Sequence, residues 1–188
     1  MDDTYVDIFP VKLGVFDFKN DEVNQDIFSK ALELEETKGK QASNVGGFHS
    51  QNLCVEDLPE ELYRFVISSM EAYASQLIEK PFVEIDNFWI IVNRRNAYNA
   101  IHTHPCSDLS AVYYIKAPEE GGDLTFFNPS IDLIERAPNQ NIFPTLGKFV
   151  PQDRKLIVFP SYLKHSVTPN NSDTVRISLA FNARVSVV

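Results

Sequence analysis

From Phe82 onward the chain is a succession of short β-rich runs separated by turn residues, and this punctuation limits its possible folds more than any other feature. The runs cover residues 82–92, 97–104, 111–116, 123–127, 148–150, 155–159, 165–167 and 174–185. Residues 118–122, 151–153, 160–161 and 169–173 supply the turns. Eight short strands so spaced predict a sandwich or barrel. A jelly roll of two Greek keys has this strand count and solves the edge problem by pairing two sheets.

The first 80 residues have a mixed texture. Residues 5–18 are strand-like in composition, interrupted by Pro10 and Gly14. Asn20 can cap a helix running to about residue 38, with Val23, Ile27, Ala31 and Leu34 at helical spacing. Residues 57–60 have the form of a capping box, with Pro59 near the helix start where it is tolerated. Leu62, Phe65, Val66, Ser69, Tyr73 and Leu77 then recur on one face, which reads as a core-facing stripe. No linker divides the chain. The expectation is a single domain, 1–188, mostly β. Residues 1–80 would supply a strand and helices packed outside one sheet, and 81–188 the jelly-roll core.

At 188 residues the chain can bury a core without a metal or disulfide staple, so a metal site here would be functional. Its net charge of −9 counts against a broad surface for duplex nucleic acid. No stretch of apolar residues is long enough to predict a membrane span. The acidic N-terminus does not read as a secretory leader, and the cytoplasm is the expected location. The two cysteines, Cys54 and Cys106, lack metal or redox spacing. Cys106 is expected to be a buried spectator. Residues 128–145 form a long, proline-containing loop, either a lid over the barrel mouth or a plain surface excursion.

Three of the four histidines carry the chemistry. His102 and His104 are two residues apart in a strand, so alternation would put them on one face with Tyr98 and Ala100. His165 opens a later strand that, in a jelly roll, lies beside the first. The three imidazoles can then converge on one metal and leave positions open for substrate and oxygen. A lone strand histidine is ordinarily a surface or core residue, so the weight falls on the combination. Arg176 adds to it. Arg176, Ser178, Ala180 and Asn182 share one face of the last strand, where the guanidinium can grip a carboxylate through two parallel hydrogen bonds and Ser178 can add a third donor.

These residues resemble the iron(II)- and 2-oxoglutarate-dependent oxygenase superfamily, most closely a branch of short bacterial and phage proteins. The resemblance is carried by Asn99-Ala-Ile-His102-Thr-His104-Pro105, Ser110-Ala-Val-Tyr113-Tyr114-Ile and Gly121-Gly-Asp-Leu-Thr-Phe126. It continues through Phe159-Pro-Ser-Tyr-Leu-Lys-His165-Ser-Val to Arg176-Ile-Ser178-Leu-Ala-Phe181-Asn182. Ile8-Phe9-Pro10 and the stretch around Phe48-His49-Ser50 fit less specifically. The fold implied is a double-stranded β-helix, a cupin-like jelly roll. The cofactors implied are Fe(II), with 2-oxoglutarate as cosubstrate and O2.

The superfamily's metal histidines fall on His102 and His165, its carboxylate-binding arginine on Arg176 with Ser178 as helper, and its cosubstrate tyrosine on Tyr114, with Tyr113 the near alternative. The usual carboxylate ligand is replaced by His104. Either His104 ligates, or Asp108 in the next loop supplies the carboxylate, or the position is left to water or another anion. Asn93, Asn99 and Asn182 are available to orient the imidazoles. By this resemblance, 2-oxoglutarate is decarboxylated to succinate while a C–H bond of a small-molecule or peptide substrate is hydroxylated. The rival readings are a three-histidine, cupin-like dioxygenase that needs no 2-oxoglutarate and a non-enzymatic jelly-roll module. Sheet edges could pair into a homodimer.

Overall fold

A computed structural model describes residues 10–187. In chain order the elements are β1 (Gly14–Asp17), α1 (Asp21–Glu35), β2 (Asn44–Val45), β3 (Phe48–His49), α2 (Glu60–Ala74), β4 (Pro81–Asn93), β5 (Tyr98–His102), β6 (Leu109–Lys116), β7 (Leu124–Phe127), α3 (Ile131–Ile134), β8 (Leu146–Phe149), β9 (Lys155–Pro160), β10 (His165–Val167) and β11 (Arg176–Val187). Each of the eight expected β runs is a strand. Within the described part of the strand-like stretch 5–18, residues 10–18, β1 is the segment that joins a sheet; Ile8 and Phe9 lie outside the described residues.

The strands form two antiparallel sheets. The larger runs β1-β9-β6-β11-β4-β3 and the smaller β2-β5-β10-β7-β8. From β4 to β11 the chain passes back and forth between them, which makes the double-stranded β-helix. The N-terminal third is woven in more closely than expected. β1 pairs with β9, β3 with β4 and β2 with β5, so it supplies edge strands to both sheets.

The two long helices cover the outward face of the larger sheet. Asn20 caps α1 by accepting a hydrogen bond from the Val23 amide at 3.1 Å. Helix α1 ends at Glu35, short of residue 38. The expected capping box of α2 is absent, because Asp57 is already committed. Its carboxylate accepts from the Cys54 amide at 2.8 Å and from Lys30 Nζ at 2.9 Å, closing a 3-10 turn before Pro59. Leu62, Val66, Met70 and Tyr73 are buried against Phe88, Ile90, Tyr113, Leu179 and Phe181 of the sheet. Leu77 falls past the end of α2 and is exposed. Each such buried side chain contributes roughly 1.5–3 kcal/mol, and together they fix the sheet whose opposite face builds the site.

Alternation then sorts neighbours to opposite faces. Tyr113 enters the helix-side core, while Tyr114 joins Leu124, Phe126, Ile157 and Phe159 between the sheets. Residues 128–145 form a surface excursion carrying α3. Its base is pinned by the Asn128 amide to Thr145 O at 2.8 Å, and Leu133, Ile142 and Phe143 are exposed. None of its residues lines the cavities at the histidines, so it is no lid in this conformation.

Candidate metal centre

His102, His104 and His165 meet between the sheets, with a ligand atom of each within 4.8 Å of the other two. His104 and His165 bring their Nε2 atoms to 3.3 Å. An ion about 2.1 Å from each nitrogen would hold adjacent ligands about 3.0–3.4 Å apart, so this pair already stands at chelating separation. His165 is paired with His102 across the β5–β10 ladder.

The way His102 reaches the site differs from simple alternation. Val167 pairs with Asn99 and His165 with His102, so three steps along β5 oppose two along β10. This bulge reverses the phase of the strand. Asn99 is buried, Tyr98 and Ala100 are exposed, and His102 turns into the chamber beside Asn99. The strand ends at His102. His104 therefore arrives from the following turn, held by its amide donating to Ser161 O at 3.1 Å. Beneath it, Ser161 Oγ meets Ser110 Oγ at 2.8 Å, and Ser110 Oγ donates to Asn182 Oδ1 at 2.9 Å.

Backbone carbonyls, rather than the three asparagines, orient the imidazoles. His102 Nδ1 lies 2.7 Å from Ala100 O, and His165 Nδ1 lies 2.8 Å from Leu163 O. With Nδ1–H donated in each, the Nε2 lone pairs are left for a metal. His104 has a different support. Its ring lies 5.8 Å from Trp89, which in turn stacks on buried His49 at 5.3 Å and 10°. Burial, followed by the positive potential of His165 and His102, pushes the His104 pKa down to about 3. Burial and His102 push His165 down to about 4. At neutral pH all three rings are uncharged, the state in which imidazole ligates.

Across the chamber stands Arg176, 2% exposed. Its Nη2 donates to Asn99 Oδ1 at 3.3 Å, while Nε and Nη1 have no partner among the described residues. Tyr114 Oη is likewise buried and unpartnered, and burial pushes its pKa up to about 12, so it remains a donor. Ser178 and Ala180 line the same chamber. An unpaired buried guanidinium is strongly unfavourable. Three idle donor atoms on Arg176 and Tyr114 fit a carboxylate, and three neutral imidazoles fit a divalent ion. The donor set thus matches iron(II) together with an anionic cosubstrate.

Several residues fall elsewhere. Tyr113 donates to Asn24 Oδ1 at 2.7 Å under α1. The Asp108 carboxylate accepts from the Val185 amide at 2.8 Å, outside the histidine cluster. Asp108→Ala should therefore leave metal stoichiometry unchanged while costing about 1 kcal/mol of stability; a loss of metal would return Asp108 to the ligand set. Asn93 and Asn99 serve Arg176, since Asn93 Nδ2 donates to Asn99 Oδ1 at 3.0 Å. Cys106 is exposed rather than buried, in the turn after Pro105 with φ +70°. Trp89 and Lys40 were not legible as site residues. Trp89 sits in an unbroken apolar run, Phe88-Trp-Ile-Ile-Val92, that shows no alternation because both of its faces are buried.

Residues 87–182 match a protein family described as “Putative 2OG-Fe(II) oxygenase”. A search of curated proteins finds no sequence relative. Among solved structures, the chain is similar to a Pseudomonas putida prolyl-4-hydroxylase at 17% identity and TM-score 0.62, covering 92% of this chain and 91% of that one. It is also similar to the viral collagen prolyl hydroxylase of Paramecium bursaria Chlorella virus-1, in a 2-oxoglutarate complex, at 15% identity and TM-score 0.59, covering 94% and 96%. Iron-bound HygX from Streptomyces hygroscopicus matches at 12% identity and TM-score 0.64, covering 93% and 82%. At these identities the likeness is one of fold.

Proposed function

This chain belongs to the 2OG-Fe(II) oxygenase family, and from that premise we propose that His102, His104 and His165 hold the iron while Arg176, Ser178 and Tyr114 hold 2-oxoglutarate. The observation that carries the assignment is the buried Arg176 guanidinium, with two idle nitrogens, in the chamber that the three histidines also line.

Iron(II) held by His102, His104 and His165 would supply the redox chemistry by which O2, 2-oxoglutarate and a substrate C–H bond become succinate, carbon dioxide and the hydroxylated product. The protein's part is positional. Arg176 neutralises the far carboxylate, and its fork fixes that group's orientation. Tyr114 donates to the same anion and Ser178 adds a short-range hydroxyl. Ile91, Val112, Leu124, Val167 and Ala180 wall the chamber with apolar surface, which excludes water and strengthens each charge contact. Because His104 replaces a carboxylate, the three protein ligands carry no negative charge. An ion held by them would keep its full +2 charge, and the site would favour an anionic cosubstrate. No side chain is needed as a general base.

We read the whole chain as one catalytic domain acting on a small molecule or peptide. No helix among the described residues is long and apolar enough to cross a membrane. The unpaired cysteines favour a reducing compartment, the cytoplasm. The reading is tested by incubating the iron(II)-loaded protein in air with 2-oxoglutarate and ascorbate, the reductant standing in for the substrate, and measuring succinate and the binding of 2-oxoglutarate. Succinate that depends on both added iron and Arg176 is expected. Failure of verified iron-loaded protein both to bind 2-oxoglutarate and to form succinate would refute the use of 2-oxoglutarate.

A further inference from the structure

The inner chamber, on the reading above, is taken by the dicarboxylate. A second cleft, about 440 Å³, reaches the same histidines from outside. This is within the range of small-molecule sites, about 300–1,000 Å³. His102, His104, Ser43 and Trp89 line both cavities, so the cleft opens onto the metal position. Lys40 and His49 complete its polar wall.

Charge sets the cleft apart. The chain carries −9 overall, yet no acidic side chain among the described residues lines this cavity. Lys40 has no ion-pair partner among the described residues. Its Nζ donates to Asn52 Oδ1 at 2.8 Å and lies 5.7 Å from the centre of the Trp89 ring. An ammonium with no counter-charge, beside an aromatic face and at the mouth of a metal site, is a receptor for a negative group. The wall beyond it, formed by Trp89, Ala42, Ala100 and Ile101, suits an apolar chain.

We propose that this cleft is the primary-substrate subsite and that it takes an aliphatic carboxylate, ion-paired to Lys40, with its chain running along Trp89 toward His102 and His104. The proposal rests on the oxygenase reading for its name as a substrate site, but the binding it asserts can be measured separately. An isolated carboxylic acid and an acidic side chain of a peptide share this chemistry.

Trp89 is the only tryptophan, so its fluorescence reports on the cleft. Zinc-loaded protein, which is redox-inert, is titrated with hexanoate, hexanamide and hexylamine, with and without saturating 2-oxoglutarate. A saturable change is expected with hexanoate, at least tenfold weaker with the amide and the amine. Lys40→Met should weaken hexanoate at least tenfold and Lys40→Arg should largely restore it. Lys164→Met, an exposed cation that does not line the cleft, should leave hexanoate binding unchanged. A blocked Gly-Glu-Gly peptide, run in parallel, identifies the source: binding tighter than hexanoate points to a polypeptide substrate, and weaker binding to a small acid. Equal binding of acid and amide, indifference to Lys40→Met, or competition between hexanoate and 2-oxoglutarate would each overturn the proposal. If 2-oxoglutarate fails to bind while hexanoate still depends on Lys40, the subsite stands and the oxygenase reading falls.

Discussion

Arg176→Met should make the cosubstrate-free protein more stable and at the same time remove its response to 2-oxoglutarate. Both effects have one cause. In the wild type a guanidinium 2% exposed is left with Nε and Nη1 unpartnered. Burial lowers its pKa, which marks a charge held against its preference. Exchanging buried ionic groups for apolar ones of similar size often stabilises by about 1–4 kcal/mol. In a domain of this size about 1 kcal/mol moves Tm by ~2–4 °C, so a rise of several degrees is expected. With 2-oxoglutarate at about 100 times its Kd, the wild type should gain about 2.7 kcal/mol, and the variant less than about 1 kcal/mol. Removing one partner of a buried charge pair typically costs 2–5 kcal/mol, about 30- to 4,000-fold in affinity. Metal binding should be spared. A variant that binds 2-oxoglutarate as tightly as the wild type would strip Arg176 of its role.

His165→Ala should abolish stoichiometric metal binding. His165 is the central ligand, with its ring 4.3 Å from His102 and 5.1 Å from His104 by centroids. Loss of a group that merely supports a metal ligand costs 10- to 100-fold in affinity, and loss of the ligand itself should exceed that. The ring is also packed on Phe159 at 4.9 Å, so alanine leaves a cavity and lowers stability as well. His165→Gln fills much of that space and separates the two effects. It should recover stability without recovering the metal. Undiminished metal binding by His165→Ala would sink the triad.

The strands were legible because turn residues bracket each of them, and the jelly roll followed from their number. The face of β11 was legible too, since Arg176, Ser178 and Ala180 line the chamber together as alternation requires. The phase of β5 was not. A bulge has no reliable mark in one sequence, and the reversal between Asn99 and His102 appears only in the pairing with β10. The consequence is local. His102 reaches the metal position by a different route, and Asn99, read as an imidazole partner, instead accepts from Arg176. Asp57 was misassigned for a related reason, because its cap geometry is shared by two adjacent turns and the 3-10 turn takes it. Trp89, His49 and Lys40 come from three separate segments. Their convergence depends on β3 pairing with β4, with His49 opposite Ile91, a long-range pairing that no local pattern encodes.

On the assignment proposed, one chamber brings a metal and a keto acid together. The most direct test is anaerobic titration of 2-oxoglutarate into iron(II)-loaded protein while recording the visible metal-to-ligand charge-transfer absorption of a chelated 2-oxo acid. A saturable band in the wild type, much weakened in Arg176→Met with iron still bound, is the predicted result. No band from wild-type protein with iron verified in place would mean that the keto acid does not chelate the metal in this chamber.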